Sequence, residues 1–280
     1  MQAKTAGIIA AHNHESFVFS AIASLAVQTD EVIVIDDASK DNTWAEITRA
    51  CSNFANVRSL RNKSQLGVSA TVNQAVTQSS AEFLFFSGSD DESLPGRVES
   101  QVDRLTQKEV ALVGSLPVVI NAIGLIMSLS EAPEFQLPTK GSDNLAKLFF
   151  EGNYICAPSV GIRRSTWLEL GGYRDGLPNL QDYDLWLRAG LLGQIVVEEQ
   201  PVVRYRKHSR NLSGSNLIMS QKDMKARNEE EKSILNHLLD LMSTEKLNAL
   251  IDSWISPGSE FKGLTRLELI DAIKASHPRI

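Results

Sequence analysis

The chain has 280 residues, 42% hydrophobic and 22% charged, the mixture of a folded protein with a sizeable core and not of a disordered or fibrous one. Its net charge of -6 offers no general attraction for nucleic acid, whose binding relies on lysine and arginine displacing condensed counterions. Two cysteines, Cys51 and Cys156, lack the spacing of a zinc site and cannot staple a disulfide scaffold, which fits a reducing, cytoplasmic setting.

Met1 to Thr5 runs straight into a strand-like segment without the regions of a signal peptide, so secretion is not expected. Short apolar runs predict strands at Ala6–Ala11, Glu31–Asp36, Val57–Leu60 and Glu82–Ser87. Between them, apolar residues at three- and four-residue spacing predict crossover helices at Ser16–Val27, Asn42–Ser52 and Val68–Thr77. This alternation is the signature of a parallel sheet covered by helices, in which ligands collect beyond the carboxyl ends of the strands. A helix from Pro95 to Gln107 follows, with Val98, Val102 and Leu105 on one face.

The uncharged run Val110–Leu129 is long enough to span a membrane, but Gly114, Pro117, Asn121 and Gly124 interrupt it. Two strands joined by a turn at Asn121–Gly124 fit it better. Glu131–Ser142 reads as a loop. Beyond it come helices at Asn144–Glu151, Ser165–Leu170 and Tyr183–Leu191, strands at Ser159–Arg163, Ile195–Glu198 and Val203–Lys207, and a helical tail from Gln221. In that tail Leu235, Leu238, Leu239 and Met242 form an apolar stripe, read as packing against the rest of the chain.

Three acidic clusters could carry chemistry. Asp36-Asp37 ends a strand, where an acid can accept hydrogen bonds from a ribose or a base; it could equally be a turn before a capped helix. Asp90-Asp91 follows another strand and suits a hard divalent cation, although Ser87-Gly88-Ser89 and Glu92 around it also make a solvated turn. Asp182, opening a helix, is either a cap or a carboxylate that takes a proton from an attacking hydroxyl. The basic stretch Arg204–Arg210 is a solvated strand end or a contact for an anionic acceptor.

Taken in order, these pieces resemble glycosyltransferase family 2, inverting transferases of the GT-A fold, over roughly Gly7 to Ser213. The elements are Ala11-His12-Asn13; Ile35 to Thr43 with its Asp-Asp-x-Ser-x-Asp pattern; Asn62 through Gly67 with Asn73-Gln74-Ala75; and Phe86 to Arg97, similar to the metal motif and the Leu-Pro-Gly-Arg that follows. Pro158-Ser159-Val160 with Arg163-Arg164, Gly171-Gly172-Tyr173, Gln181 to Arg188, and Tyr205-Arg206-x-His208 match the later half. Departures are His12 for the usual aromatic, Gly88 where many members carry the first Asp of the metal motif, and Gln181 for the common Glu before the base.

The resemblance implies an α/β fold, a GT-A-like doubly wound, mostly parallel sheet with flanking helices and a helical C-terminal tail. It divides into residues 1–215, with a nucleotide-sugar half at 1–107 and an acceptor half at 108–215, and an extension at 216–280. It implies a nucleotide-sugar donor held by His12, Asn13, Glu15, Asp36, Asp37, Gly67, Asn73, Ser89 and Asp90, Mg²⁺ or Mn²⁺ held by Asp91 and His208, and Asp182 as the base. The hydroxyl acceptor would be a saccharide or a lipid-linked glycan; oligomerisation and peripheral contact with the inner face of a membrane stay open. A non-catalytic sugar-nucleotide-binding module of the same fold is the alternative. A nicotinamide-dependent dehydrogenase should carry a glycine-rich loop after the first strand, where this chain has Ala10-Ala11-His12-Asn13-His14-Glu15.

Overall fold

The structure is a computed structural model that describes residues 4–135, 143–209, 211, 221–254, 264–276 and 279. The expected alternation is present as β1 (Thr5–Ala11), α1 (Val18–Ala26), β2 (Glu31–Asp36), α2 (Thr43–Asn53), β3 (Val57–Arg61), α3 (Val68–Thr77) and β4 (Phe83–Gly88). A two-residue strand, β5 (Glu92–Ser93), precedes α4 (Arg97–Leu105). Next come β6 (Val110–Ser115), β7 (Val118–Asn121), α5 (Asn144–Glu151), β8 (Gly161–Arg163), α6 (Arg164–Leu170), α7 (Gln181–Leu192), β9 (Gln194–Glu198) and β10 (Val203–Lys207). The tail consists of α8 (Gln221–Leu241), α9 (Thr244–Trp254) and α10 (Arg266–Ser276).

Seven strands form the main sheet in the order β3-β2-β1-β4-β8-β6-β9, parallel except for β8, which runs against both of its neighbours. The chain winds outward from β1 to β3 and then returns to place β4 on the other side of β1. Between β1 and β4 the winding therefore reverses, and crossovers leave in opposite directions, which opens a crevice at the carboxyl ends of these strands.

Period-two alternation along the strands divides the core into two layers. Ile9, Val32 and Val34 face Val18, Ile22 and Leu25 of α1 together with Ile47 of α2 and Val98 of α4. Ile8, Ile33 and Ile35 face the opposite side, where Val72 and Val76 of α3, Phe149 of α5, Trp167 of α6 and Trp186 of α7 lie. The tail belongs to this second layer: Leu235, Leu238, Leu239, Met242, Leu250, Ile251, Leu269 and Ile273 are buried in it. The apolar stripe is therefore a packing face.

A smaller sheet, β5-β10-β7, stands beside the main one and was not foreseen. Its origin corrects the expected hairpin at 110–129. The strand break falls at Leu116-Pro117, where proline removes a ladder donor and the chain changes sheets. The Asn121–Gly124 turn is present but comes after β7, and across it Asn121 donates to the Leu125 carbonyl and Met127 to the Val119 carbonyl around one antiparallel bridge, Ile120 with Ile126. Among the described residues no helix is long and apolar enough to cross a membrane. Residues 136–142 of the expected loop and 216–220 ahead of the tail lie outside the described residues.

Candidate active site

A cavity of about 650 Å³ occupies the crevice where the winding reverses. Its walls come from the ends of β1, β2 and β4, the N-terminus of α3, Ala157-Pro158, the stretch from Tyr173 to the start of α7, and β10 with the segment after it, so seven stretches distant in sequence meet there. Seven of the expected site residues line it: His12, Asp37, Gly67, Ser89, Asp90, Asp91 and Asp182. Asn13, Glu15, Asp36 and Asn73 stand outside it and hold its walls, and His208 reaches it through Asp90.

The nucleotide end is a set of interlocked turns. Asp37 accepts hydrogen bonds from the Asn62 side chain and from the amides of Leu66 and Gly67, each at 2.8 Å. Its carboxylate thereby fixes the entry to α3, where Gly67 has φ 88°, a conformation suited to glycine. His12 donates from Nδ1 to the Asp37 carbonyl at 2.7 Å and accepts from the Asn13 amide at Nε2, so its tautomer and ring plane are both set. Asp36 is fully enclosed, bonded to Ser39 and 2.9 Å from the Arg61 Nε, and does not face the cavity. Asn13 and Glu15 accept the Lys40 and Asn42 amides and tie the loop after β1 to the loop after β2.

The middle of the cavity carries a group that sequence reasoning only half found. His208 Nε2 lies 2.9 Å from Asp90 Oδ2, and His14 Nδ1 lies 3.8 Å from Asp90 Oδ1 and 2.7 Å from the Ser89 hydroxyl. One ligand atom from each of His14, Asp90 and His208 falls within 4.8 Å of the others. Ligands on opposite sides of an ion with bonds of about 2.1 Å stand roughly 4 Å apart, so a modest inward shift of these side chains suits a divalent ion. Phe17 stacks on the His208 ring at 5.1 Å, which holds the imidazole in place. Asp91, the expected ligand, lines the same cavity with its Oδ2 beside Gly88, while its Oδ1 is engaged elsewhere. It accepts the Arg206 amide at 2.8 Å and is almost completely buried; burial and the neighbouring Asp90 charge push its carboxyl well above the usual range.

The basic stretch also differs from expectation. Arg206 is buried and donates to the Asp90 carbonyl and to Glu92, while Arg204 pairs with Glu92 and Lys207 with Glu134. These cations are spent on the chain's own acids. Arg210 lies outside the described residues.

At the far end stands Asp182, in the first turn of α7, accepting from the Asn153 amide at 3.1 Å and the Tyr183 amide at 2.7 Å. Enclosure raises its carboxyl above the ordinary value of 3.8. Asp184, two residues on, is turned into the core and is bonded to Arg188 and Arg174. Asn73 joins the two ends of the cavity, donating to the Tyr173 carbonyl at 2.8 Å and accepting the Tyr173 amide at 3.0 Å.

Residues 8–170 match the profile of a family described as Glycosyl transferase family 2. An uncharacterised glycosyltransferase of Rickettsia conorii is 26% identical over 208 residues, covering 72% of this chain and 34% of the relative. The O-antigen biosynthesis glycosyltransferase WbnJ of Escherichia coli is 27% identical over 201 residues, 71% of this chain and 73% of its own. The chain thus spans about a third of the Rickettsia relative's length. Among solved structures, S. aureus TarS 1-349 in complex with UDP-GlcNAc superposes with a TM-score of 0.67 at 18% identity, over 97% of this chain and 80% of that one. The mannosyltransferase PcManGT from Pyrobaculum calidifontis, in complex with GDP-Man and Mn²⁺, does so with a TM-score of 0.60 at 14% identity, over 99% and 76%. These two likenesses are of fold, the GT-A arrangement.

Proposed function

From a chain that belongs to glycosyl transferase family 2, we infer an enzyme that moves a sugar from a nucleoside-diphosphate sugar to a hydroxyl of a saccharide or lipid-linked acceptor. The observation that carries this reading is the single cavity that holds Asp37 and Gly67 at one end, Asp90 in the middle and Asp182 at the other. The UDP-GlcNAc and GDP-Man bound to the fold neighbours support a nucleotide-sugar donor, and the name of the E. coli relative supports a role in polysaccharide assembly.

The nucleoside lies at the turns built on His12, Asp37 and Gly67. Asp90 and His208, with His14, would hold a divalent ion such as Mg²⁺ or Mn²⁺. When bound, that ion neutralises charge on the diphosphate leaving group. Asp182 takes the proton of the acceptor hydroxyl as its oxygen attacks the anomeric carbon and the bond from that carbon to the diphosphate oxygen breaks. A single displacement inverts the anomeric configuration. The raised Asp182 carboxyl suits a base, because a carboxylate stabilised less by its surroundings holds a proton more firmly.

Release of nucleoside diphosphate from a panel of UDP-, GDP- and dTDP-sugars, with and without Mn²⁺ and with saccharide and lipid-linked acceptors, tests the reading. Acceptor-dependent release from one donor supports it. Tight donor binding without release under any acceptor would instead mark a non-catalytic sugar-nucleotide-binding module.

A further inference from the structure

We propose that the turn after β7 is a docking tip for a lipid bilayer, where Ile123, Leu125 and Ile126 project from an uncharged hairpin end whose backbone groups are paired within the protein. The proposal goes beyond the transfer reaction described above and stands without it.

The tip is both exposed and stiff. Ile123, Leu125 and Ile126 are 80%, 61% and 77% exposed, a cluster of large aliphatic side chains where a protein surface ordinarily scatters them singly. Its root is fixed, because Val119 packs in a small core with Phe135 and Tyr205 and Met127 lies against that core. The Asn121 side-chain oxygen accepts the Ile123 and Leu125 amides at 3.1 and 3.0 Å, and the Gly124 amide donates to the Asn121 carbonyl at 2.9 Å. Of the carbonyls, that of Leu125 accepts the Asn121 amide at 2.9 Å, and those of Asn121 and Ala122 accept Arg206 Nη1 at 3.3 and 3.5 Å. Backbone groups paired in this way enter an apolar phase without the penalty that unpaired ones carry. The sequence agrees, since Val118 to Ser130 contains no charged residue.

Size selects the occupant. Three aliphatic side chains at these exposures offer roughly 400 Å², about half of the ~800 Å² that each partner buries in a stable dimer. A second copy of the chain would therefore need surface beyond the tip. A bilayer needs only the wedge itself, because binding at a membrane interface grows with the apolar area inserted. Charge sets the character of the contact. Arg204 and Arg206 beside the tip pair with Glu92, and Lys207 pairs with Glu134, so the local cations are neutralised by the chain's own acids and the contact is apolar, not electrostatic. Arg206 also donates from Nε to the Asp90 carbonyl at 2.9 Å, so the root of the tip and the wall of the cavity share one side chain. Delivery of a lipid-linked hydroxyl to that cavity rests on the reading above; docking of the tip does not.

Flotation of the full chain with phosphatidylcholine vesicles, with and without phosphatidylglycerol, tests this. Reversible binding to both compositions is expected, with little dependence on salt. Ile123→Ser combined with Ile126→Ser should weaken it by at least about tenfold, with the melting temperature unchanged because both side chains are exposed. Ile123→Trp gives a second readout: its added fluorescence should shift to the blue on vesicles and be quenched by lipids brominated along their acyl chains. Absence of wild-type binding, wild-type binding in the double serine variant, binding confined to anionic vesicles at low salt, or no blue shift overturns the proposal. A dimer that the double variant abolishes also overturns it, by making the tip an interface between copies. None of these readouts involves sugar transfer, so failure of transfer to a soluble acceptor leaves the docking standing, and failure of docking leaves transfer to its own assay.

Discussion

Glu230, on the first helix of the C-terminal extension, accepts the amide of Leu180 at 2.9 Å and that of Asn179 at 3.2 Å, and thereby holds the loop that delivers Asp182. The Asn179 side chain donates to the same carboxylate at 3.0 Å. Residues 175–179 line the cavity, so the extension acts as an outer buttress of the wall that carries Asp182.

Glu230→Ala is expected to lower acceptor-dependent turnover and raise the acceptor KM, while the Kd for donor stays within about twofold and stability falls by about 1–2 kcal/mol. Glu230→Gln keeps an acceptor oxygen and should restore most of the turnover. Steady-state kinetics with varied acceptor, beside calorimetric donor titration, provide the check. A matching loss of donor affinity would mean that Glu230 supports the fold as a whole and not this loop.

Leu239 is fully buried in the core layer shared with Trp186, so Leu239→Ala should cost about 2–5 kcal/mol by lost transfer energy and the cavity left behind. Truncation after Ser220 removes this entire contribution and should destabilise the remaining chain more severely. Chemical denaturation of both variants measures it. An unchanged midpoint for Leu239→Ala would contradict the packing described.

The pH dependence follows from Asp182. Its carboxyl is raised above the ordinary value by burial, so the fold favours the protonated form. The associated stability is fully present below the unfolded-state value and is lost as pH rises through the folded-state value. Turnover should therefore rise with pH across that window and then level off. Asp182→Asn, which has no charge to bury, should equal or exceed wild-type stability at neutral pH and lose that advantage in acid. Thermal melts at acidic and neutral pH would show a wild-type advantage at pH 7 if this sign is wrong.

Much of the fold is legible in the sequence because apolar period directly encodes the exposed and buried faces of each element. The runs Val32 to Ile35 and Phe83 to Phe86, and the helical spacing in α3 and α5, leave little choice. What escapes is structure made by distant pairing. β5 has two residues and exists only because β10 accepts it, so Glu92-Ser93 gives no local strand signal. Asp37 and Asp182 stand out as acids next to element ends. His14 does not, since its significance comes from Asp90 and from His208, which itself lies 118 residues beyond Asp90. The available clue was composition: a second histidine two residues after His12, in a turn that follows a strand pointing at the crevice.

Acceptor-dependent nucleoside diphosphate release by Asp182→Asn, measured beside donor affinity, tests the central claim most directly. The account predicts a loss of about 10²–10⁴-fold in turnover with donor Kd nearly unchanged, because the amide keeps the shape of the side chain but cannot take the acceptor's proton. Asp184→Asn is the comparison: it breaks the buried pairing with Arg188 and should lose stability, with turnover per folded molecule retained. Near-normal turnover in Asp182→Asn, with turnover lost in Asp184→Asn at full folding, would contradict the account.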